Sequence, residues 1–91
     1  MFFYVYILQS RKDGEFYIGS TSDLQRRVKE HNAGKVRSTK ARIPFELLYY
    51  EAYRSEKDAR ERERKLKLRG QARRQLIERI KHSTSPALKK T

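Results

Sequence analysis

The chain has 91 residues, 36% of them hydrophobic and 37% charged, with a net charge of +12 and no cysteine. That length allows one domain, burying roughly 60 to 65% of the surface its unfolded chain exposes. Disulfide scaffolds and thiolate zinc sites are excluded, and no apolar run approaches the ~18 residues needed to span a membrane. So large an excess of positive charge costs stability through self-repulsion and points to a polyanionic partner. Nucleic acid comes first, a ribosome-like RNA surface second and an anionic membrane third.

The opening "MFFYVYILQS" lacks a basic leader and a small-residue cleavage site, so it reads as structure rather than as a secretion signal. A cytoplasmic location is expected, nucleoid-associated if DNA is bound. Residues 3–8, "FYVYIL", are β-branched and aromatic, as a strand prefers. Asp13-Gly14 suits a tight turn, and "FYIG" at 16–19 reads as the returning strand. Ser22 and Gln25 have capping-box spacing, opening a helix on Leu24, Val28 and His31 that stops near Asn32 to Gly34.

"KVRSTKARIP" is basic and polar, and the next strand is "FELLYYEAY". Capping around Ser55 opens a long charged helix with Gly70 near its end. Ala72, Leu76, Ile77 and Ile80 then mark a third amphipathic helix. The expected domain covers 1–82, followed by a disordered basic tail over 83–91. The order is β-β-α-β-α-α, an α+β domain with a small three-stranded antiparallel sheet flanked by helices.

Four residue types in this pattern are chemically capable. Leu24, Arg27, Val28 and His31 share one helix face, which sets Arg27 and His31 beside or just above the core. The plainer alternative is an Arg27 that reaches solvent and a His31 at the helix C-terminus, where its positive form is favoured. Ala59, Glu63 and Leu66 repeat that spacing and turn Glu63 inward, where a carboxylate needs a cation, a metal ion or several hydrogen bonds. The alternative there is a surface Glu63–Lys67 pair worth about 0.3–0.5 kcal/mol. Tyr4, Tyr6 and Tyr17 lie in the two hairpin strands, where aromatic side chains usually serve packing. A tyrosine acts as a general base only where positive charge or a metal lowers its pKa, and Arg27 is placed to supply such a field.

These residues together resemble the GIY-YIG nuclease family. Tyr4-Val5-Tyr6 is a variant of the first tripeptide with tyrosine in place of glycine, and Tyr17-Ile18-Gly19 keeps the second intact. "STSDLQRRVKEHN" is similar to the family helix carrying the arginine and histidine, here Arg27 and His31. "SEKDARERERKLK" is similar to the later helix, whose alanine–glutamate spacing selects Ala59 and Glu63. The resemblance covers residues 2 to about 80 and is strongest to small single-domain bacterial members, like the N-terminal domain of the excision-nuclease C subunit. Ser20 stands where some members carry a lysine.

The resemblance implies a metal-dependent endonuclease with Tyr6, Tyr17, Arg27, His31 and Glu63 as catalytic residues. Glu63 would hold one divalent ion, Mg²⁺ or Mn²⁺. Arg27 would bind the scissile phosphate, and the general base lies among Tyr6, Tyr17 and His31. DNA is preferred to RNA as substrate, cut by structure rather than sequence, with roles in repair or recombination; no membrane is implied, and a protein partner or homodimer stays open. Residues 54–81 carry 12 Lys/Arg against five Asp/Glu, an excess of +7 that includes Lys67, and the preceding loop adds Lys35, Arg37, Lys40 and Arg42. Such charges track phosphates without reading bases. The competing class is a non-catalytic nucleic-acid-binding protein using the same basic surface. A membrane-surface helix is the weakest alternative, because so small a core needs the apolar stripe itself.

Overall fold

The computed structural model describes residues 1–84. Its elements follow the expected order: β1 (Phe3–Ser10), β2 (Phe16–Thr21), α1 (Leu24–Asn32), β3 (Phe45–Tyr53), α2 (Glu56–Lys67) and α3 (Gln71–Arg79), with a 3₁₀ turn at Lys40–Arg42. Beyond Ser83 and Thr84, the tail expected over 83–91 lies outside the described residues.

The strands form one antiparallel sheet ordered β2-β1-β3, so the first strand is central. That position explains its composition: Val5 to Ser10 are all buried because both faces of β1 are covered. Gly14 N–H donates to the Ser10 carbonyl at 2.9 Å, closing the β1–β2 hairpin. Between Ile7 and Leu8 the register against β3 shifts, Ile7 facing Tyr49 and Leu8 facing Leu47. The resulting bulge inserts Leu48, which joins Tyr49 on one side of the sheet while Leu47 and Tyr50 serve the other.

Apolar side chains therefore divide into two layers. On one side Val5, Ile7 and Ile18 meet Ala59 and Leu66 of α2 and Leu76 and Ile80 of α3. On the other, Tyr6, Leu8 and Phe45 pack with Tyr17, Leu24, Val28 and Leu47 under α1. Behind β3, the Glu51 carboxylate accepts two guanidinium N–H groups of Arg62 at 2.9 Å, the Tyr49 hydroxyl at 2.7 Å and the Tyr53 hydroxyl. This cluster fixes α2 to the sheet.

Helix α1 starts one residue later than the Ser22–Gln25 spacing suggests. Asp23 is the N-cap, its carboxylate accepting Arg26 N–H at 3.1 Å. Both residue types cap well, and the negative charge gives Asp23 the further benefit of the helix dipole. Ser55 caps α2 as expected, accepting Asp58 N–H at 3.4 Å. After α1, Gly34 adopts φ +76°, a left-handed conformation that side chains disfavour. Asn32 reaches across to β3: its Nδ2 donates to the Phe45 carbonyl at 3.0 Å and its Oδ1 accepts Phe45 N–H at 2.6 Å. The two ends of loop 33–44 are pinned together by that side chain.

Candidate active site

Strand β2 is an edge strand, so side chains from both faces of the sheet can converge on it. Tyr6 pairs with Gly19 and Leu8 with Tyr17, which sets the two tyrosines on a diagonal with ring centroids 6.3 Å apart. Gly19 is required by close approach. A Cβ there would lie 2.5 Å from the Tyr6 hydroxyl oxygen and 2.7 Å from Cζ.

His31 lies inside the core rather than beside it. It is 0% exposed, deeper than the half-buried Leu24 and Val28 expected to face the sheet. Its Nε2 is 2.9 Å from the Tyr6 hydroxyl and its Nδ1 is 2.9 Å from Thr39 Oγ1. Thr39 donates in turn to the Val36 carbonyl at 3.4 Å, which assigns the ring proton to Nδ1 and makes Nε2 the acceptor of the Tyr6 O–H. Burial and the neighbouring Arg27 charge lower the imidazole to about 4. A positively charged His31 at the helix end is thereby overturned, since burial disfavours the cation more than the helix terminus favours it.

Burial pushes the Tyr6 phenol up to about 12, opposed by the Arg27 guanidinium and reinforced by Tyr17 and Glu63. Tyr17 is half-buried, its ring edge-on to the imidazole at 4.9 Å. Arg27 is half-buried too and pairs with Glu30 at 3.1 Å.

Helix α2 supplies the carboxylate. Ser20 Oγ–H donates to Glu63 Oε1 at 2.5 Å, and Lys67 Nζ lies 2.7 Å from Oε2. The Glu63 side chain is 20% exposed, so the inward orientation and the i, i+4 pair are both realised. Burial alone would raise its pKa, but hydrogen bonds from Lys67 and Ser20 outweigh that and hold it below the usual carboxylate range. Glu63 is bound by Ser20, and the adjacent Gly19 is the position against which Tyr6 and Tyr17 pack, so this stretch of β2 brings Glu63 close to the cluster of Tyr6, Tyr17, His31 and Arg27.

The basic residues divide in their placement. Lys35, Arg37 and Lys40 are exposed on the loop after α1. Arg42 pairs with Asp13 at 3.0 Å and lies 5.6 Å from the Phe45 ring centre, which ties that loop to the hairpin. Lys67 sits on Glu63 itself. Sequence reasoning missed Thr39 and Asn32, neither of which falls on an apolar periodicity. Asn32 ends α1 and Thr39 precedes the 3₁₀ turn further along the loop, and a small polar residue in either place is indistinguishable from ordinary loop chemistry.

A family model described as the GIY-YIG catalytic domain matches residues 2–76. The chain belongs to the GIY-YIG family. GIY-YIG proteins are nucleases as a family, and the five converging side chains all fall within the matched span. A UPF0213 protein of Halobacterium salinarum is 37% identical over 75 residues, 81% of this chain and 96% of that one. A UPF0213 protein of Streptococcus pneumoniae is 43% identical over 65 residues, 70% of this chain and 65% of that one. The chain spans a little under two thirds of the length of such streptococcal relatives. The solution NMR structure of a UPF0213 protein from Bacillus halodurans superposes with a TM-score of 0.55 at 36% identity, covering 100% of this chain and 95% of that one.

Proposed function

We propose that this chain is an endonuclease hydrolysing phosphodiester bonds in nucleic acid, DNA in preference to RNA, by structure rather than sequence and in the service of repair or recombination. One observation carries the reading. Adjacent residues of edge strand β2 serve both groups: Ser20 holds Glu63, and Gly19 packs against Tyr6 and Tyr17 beside His31 and Arg27.

Arg27 binds the scissile phosphate and offsets the charge that grows in the transition state. Tyr17 takes the proton of the attacking water in this reading, which its being the more exposed of the two phenols supports. Tyr6 stays protonated, donates to neutral His31 and holds the imidazole against Tyr17. The residues also fit one divalent ion, Mg²⁺ or Mn²⁺. Such an ion takes one or two carboxylates and fills its remaining positions with water and phosphate, and Glu63 is kept ionised by Lys67 and Ser20. Among the described residues no group of three His, Cys, Asp or Glu forms a closed protein cage. Bound to Glu63, the ion would supply positive charge to the phosphate and leaving oxygens.

A second reading, nucleic-acid binding without catalysis, is favoured by one contact: Lys67 already neutralises Glu63. Cleavage of labelled single-stranded, duplex and branched DNA separates the two, run with Mg²⁺, Mn²⁺ or chelator and with Glu63→Ala alongside. Metal-dependent cutting by wild type alone is expected. Salt-sensitive binding with no cutting by either protein would select the binding reading.

A further inference from the structure

Helix α1 presents two flanks. Arg27 and His31 serve the catalytic edge, whereas Gln25, Val28 and Lys29 line an open-sided hollow of about 620 Å³ on the opposite flank, over β1 and β3. Its other walls are Tyr4, Ser22, Asp23, Leu24, Leu47 and Tyr50. None of these residues belongs to the catalytic constellation. The volume falls within the range of roughly 300–1,000 Å³ typical of small-ligand sites.

Three features limit what the hollow can hold. Its floor is aromatic: Tyr4 and Tyr50 meet edge-to-face at 5.9 Å, and Tyr50 is 53% exposed although it sits in a strand. An exposed ring lining a hollow offers a flat π-system on which another flat ring can stack. Asp23 adds a carboxylate. One oxygen caps α1, which leaves lone pairs directed to a hydrogen-bond donor and makes the wall hostile to a phosphate. The rim carries Lys29, which is exposed and suited to the phosphate attached to whatever enters. A flat, amino-bearing ring with a phosphate outside it is a nucleobase.

Resting on the nucleic-acid reading above, we infer that this hollow is a base-stacking subsite for an unpaired nucleotide of the substrate. It takes a base whose exocyclic amino group donates to Asp23, adenine, cytosine or guanine, in preference to thymine, which has no amino group and only one N–H flanked by two carbonyls. The base stacks on Tyr50 while the strand crosses α1, about one helix diameter (~10–12 Å), to the catalytic edge.

The test is equilibrium binding by fluorescence anisotropy, in chelator so that no cleavage intervenes. Probes are short oligodeoxynucleotides of adenine, cytosine or thymine alone, and a blunt duplex. Tyr50→Ala, at an exposed position that keeps the fold, is expected to weaken the adenine and cytosine strands about tenfold or more and to leave the duplex unchanged. Tyr50→Trp is expected to restore single-strand affinity. Asp23→Asn preserves helix capping, because both residues cap equally well. It is expected to abolish the preference for adenine and cytosine over thymine. Equal loss on duplex and single strand, or no loss on either, overturns the subsite while leaving the nucleic-acid reading intact. Sedimentation showing that Tyr50→Ala dissolves a dimer also overturns it, in favour of self-association. Wild-type protein binding no probe at all would sink both.

Discussion

The Tyr6 hydroxyl and His31 Nε2 meet at 2.9 Å beneath the surface, where burial and the Arg27 charge keep the histidine a neutral acceptor rather than a cation. Tyr17, Arg27, Glu30, Thr39 and Phe45 surround the same imidazole.

Stability should therefore depend on pH in the acid range. The folded protein holds His31 at about 4 and the unfolded chain at 6.5, so the unfolded state binds the extra proton between those values. Stability is at its full value above pH 6.5 and falls as the pH drops toward 4, by roughly 3 kcal/mol in all. Urea midpoints measured from pH 8 to 4 read the slope directly. His31→Gln, which keeps hydrogen-bonding capacity without titrating, should flatten that part of the profile. An unchanged slope in the variant would assign the effect elsewhere.

Gly19→Ala should damage both fold and site. The added methyl meets Tyr6 at 2.5 Å, and a buried ring packed against His31 has no open space to enter. A destabilisation of about 1–3 kcal/mol is expected, with the His31 ring resonances shifted in NMR spectra. Wild-type stability together with unshifted His31 signals would show that the strand relaxes instead.

On the proposed reading, in which Arg27 binds the scissile phosphate, Arg27→Ala should lower kcat on the cleaved nucleic acid by a factor on the order of 10²–10³, with a smaller change in KM, because charge there counts most where negative charge grows. Glu30→Ala serves as the control: it releases the guanidinium from its partner and leaves the phosphate contact in place. Equal losses in both variants would mean that the pair acts only as helix scaffolding.

The Glu51 cluster should outweigh the surface ion pairs. Glu51 is 15% exposed, with Arg62 and two tyrosines as donors, whereas Arg60 and Glu56 are 71% and 54% exposed. Removing the acceptor with Glu51→Ala leaves four donor groups on three side chains short of a partner and should cost about 2–3 kcal/mol, against a few tenths for Arg60→Ala. Chemical denaturation of the two variants compares these costs. Burial and the hydrogen bond to Glu51 also push Tyr49 and Tyr53 up to about 12, so stability should fall as pH rises from 10 through 12.

Most of the fold was legible because its signals are local. The β-branched run of β1, the Asp13-Gly14 turn and the Ala59–Leu66 stripe each follow from neighbours in sequence. What escaped depended on distant partners. The burial of His31 arises from Tyr6 and Thr39, which helix periodicity cannot register, so Leu24 and Val28 seemed the deeper residues. The α1 cap fell between two adjacent capable residues, and only backbone geometry chooses Asp23. Glu63 was found by its spacing, but its bond to Ser20 depends on α2 crossing the sheet edge. The roles of individual residues come from the family resemblance, and the structure adds distances to them.

The Asn32 staple makes loop 33–44 an exchangeable part. With its ends held at Phe45, lengthening the loop at its exposed tip, Arg37–Ser38, adds only about 0.6 kcal/mol of closure entropy per doubling. Provided Thr39 keeps its hold on His31, new basic or aromatic residues can be grafted there without disturbing the strand edge. Loop 33–44 can thus change length or charge while the fold around His31 stays fixed.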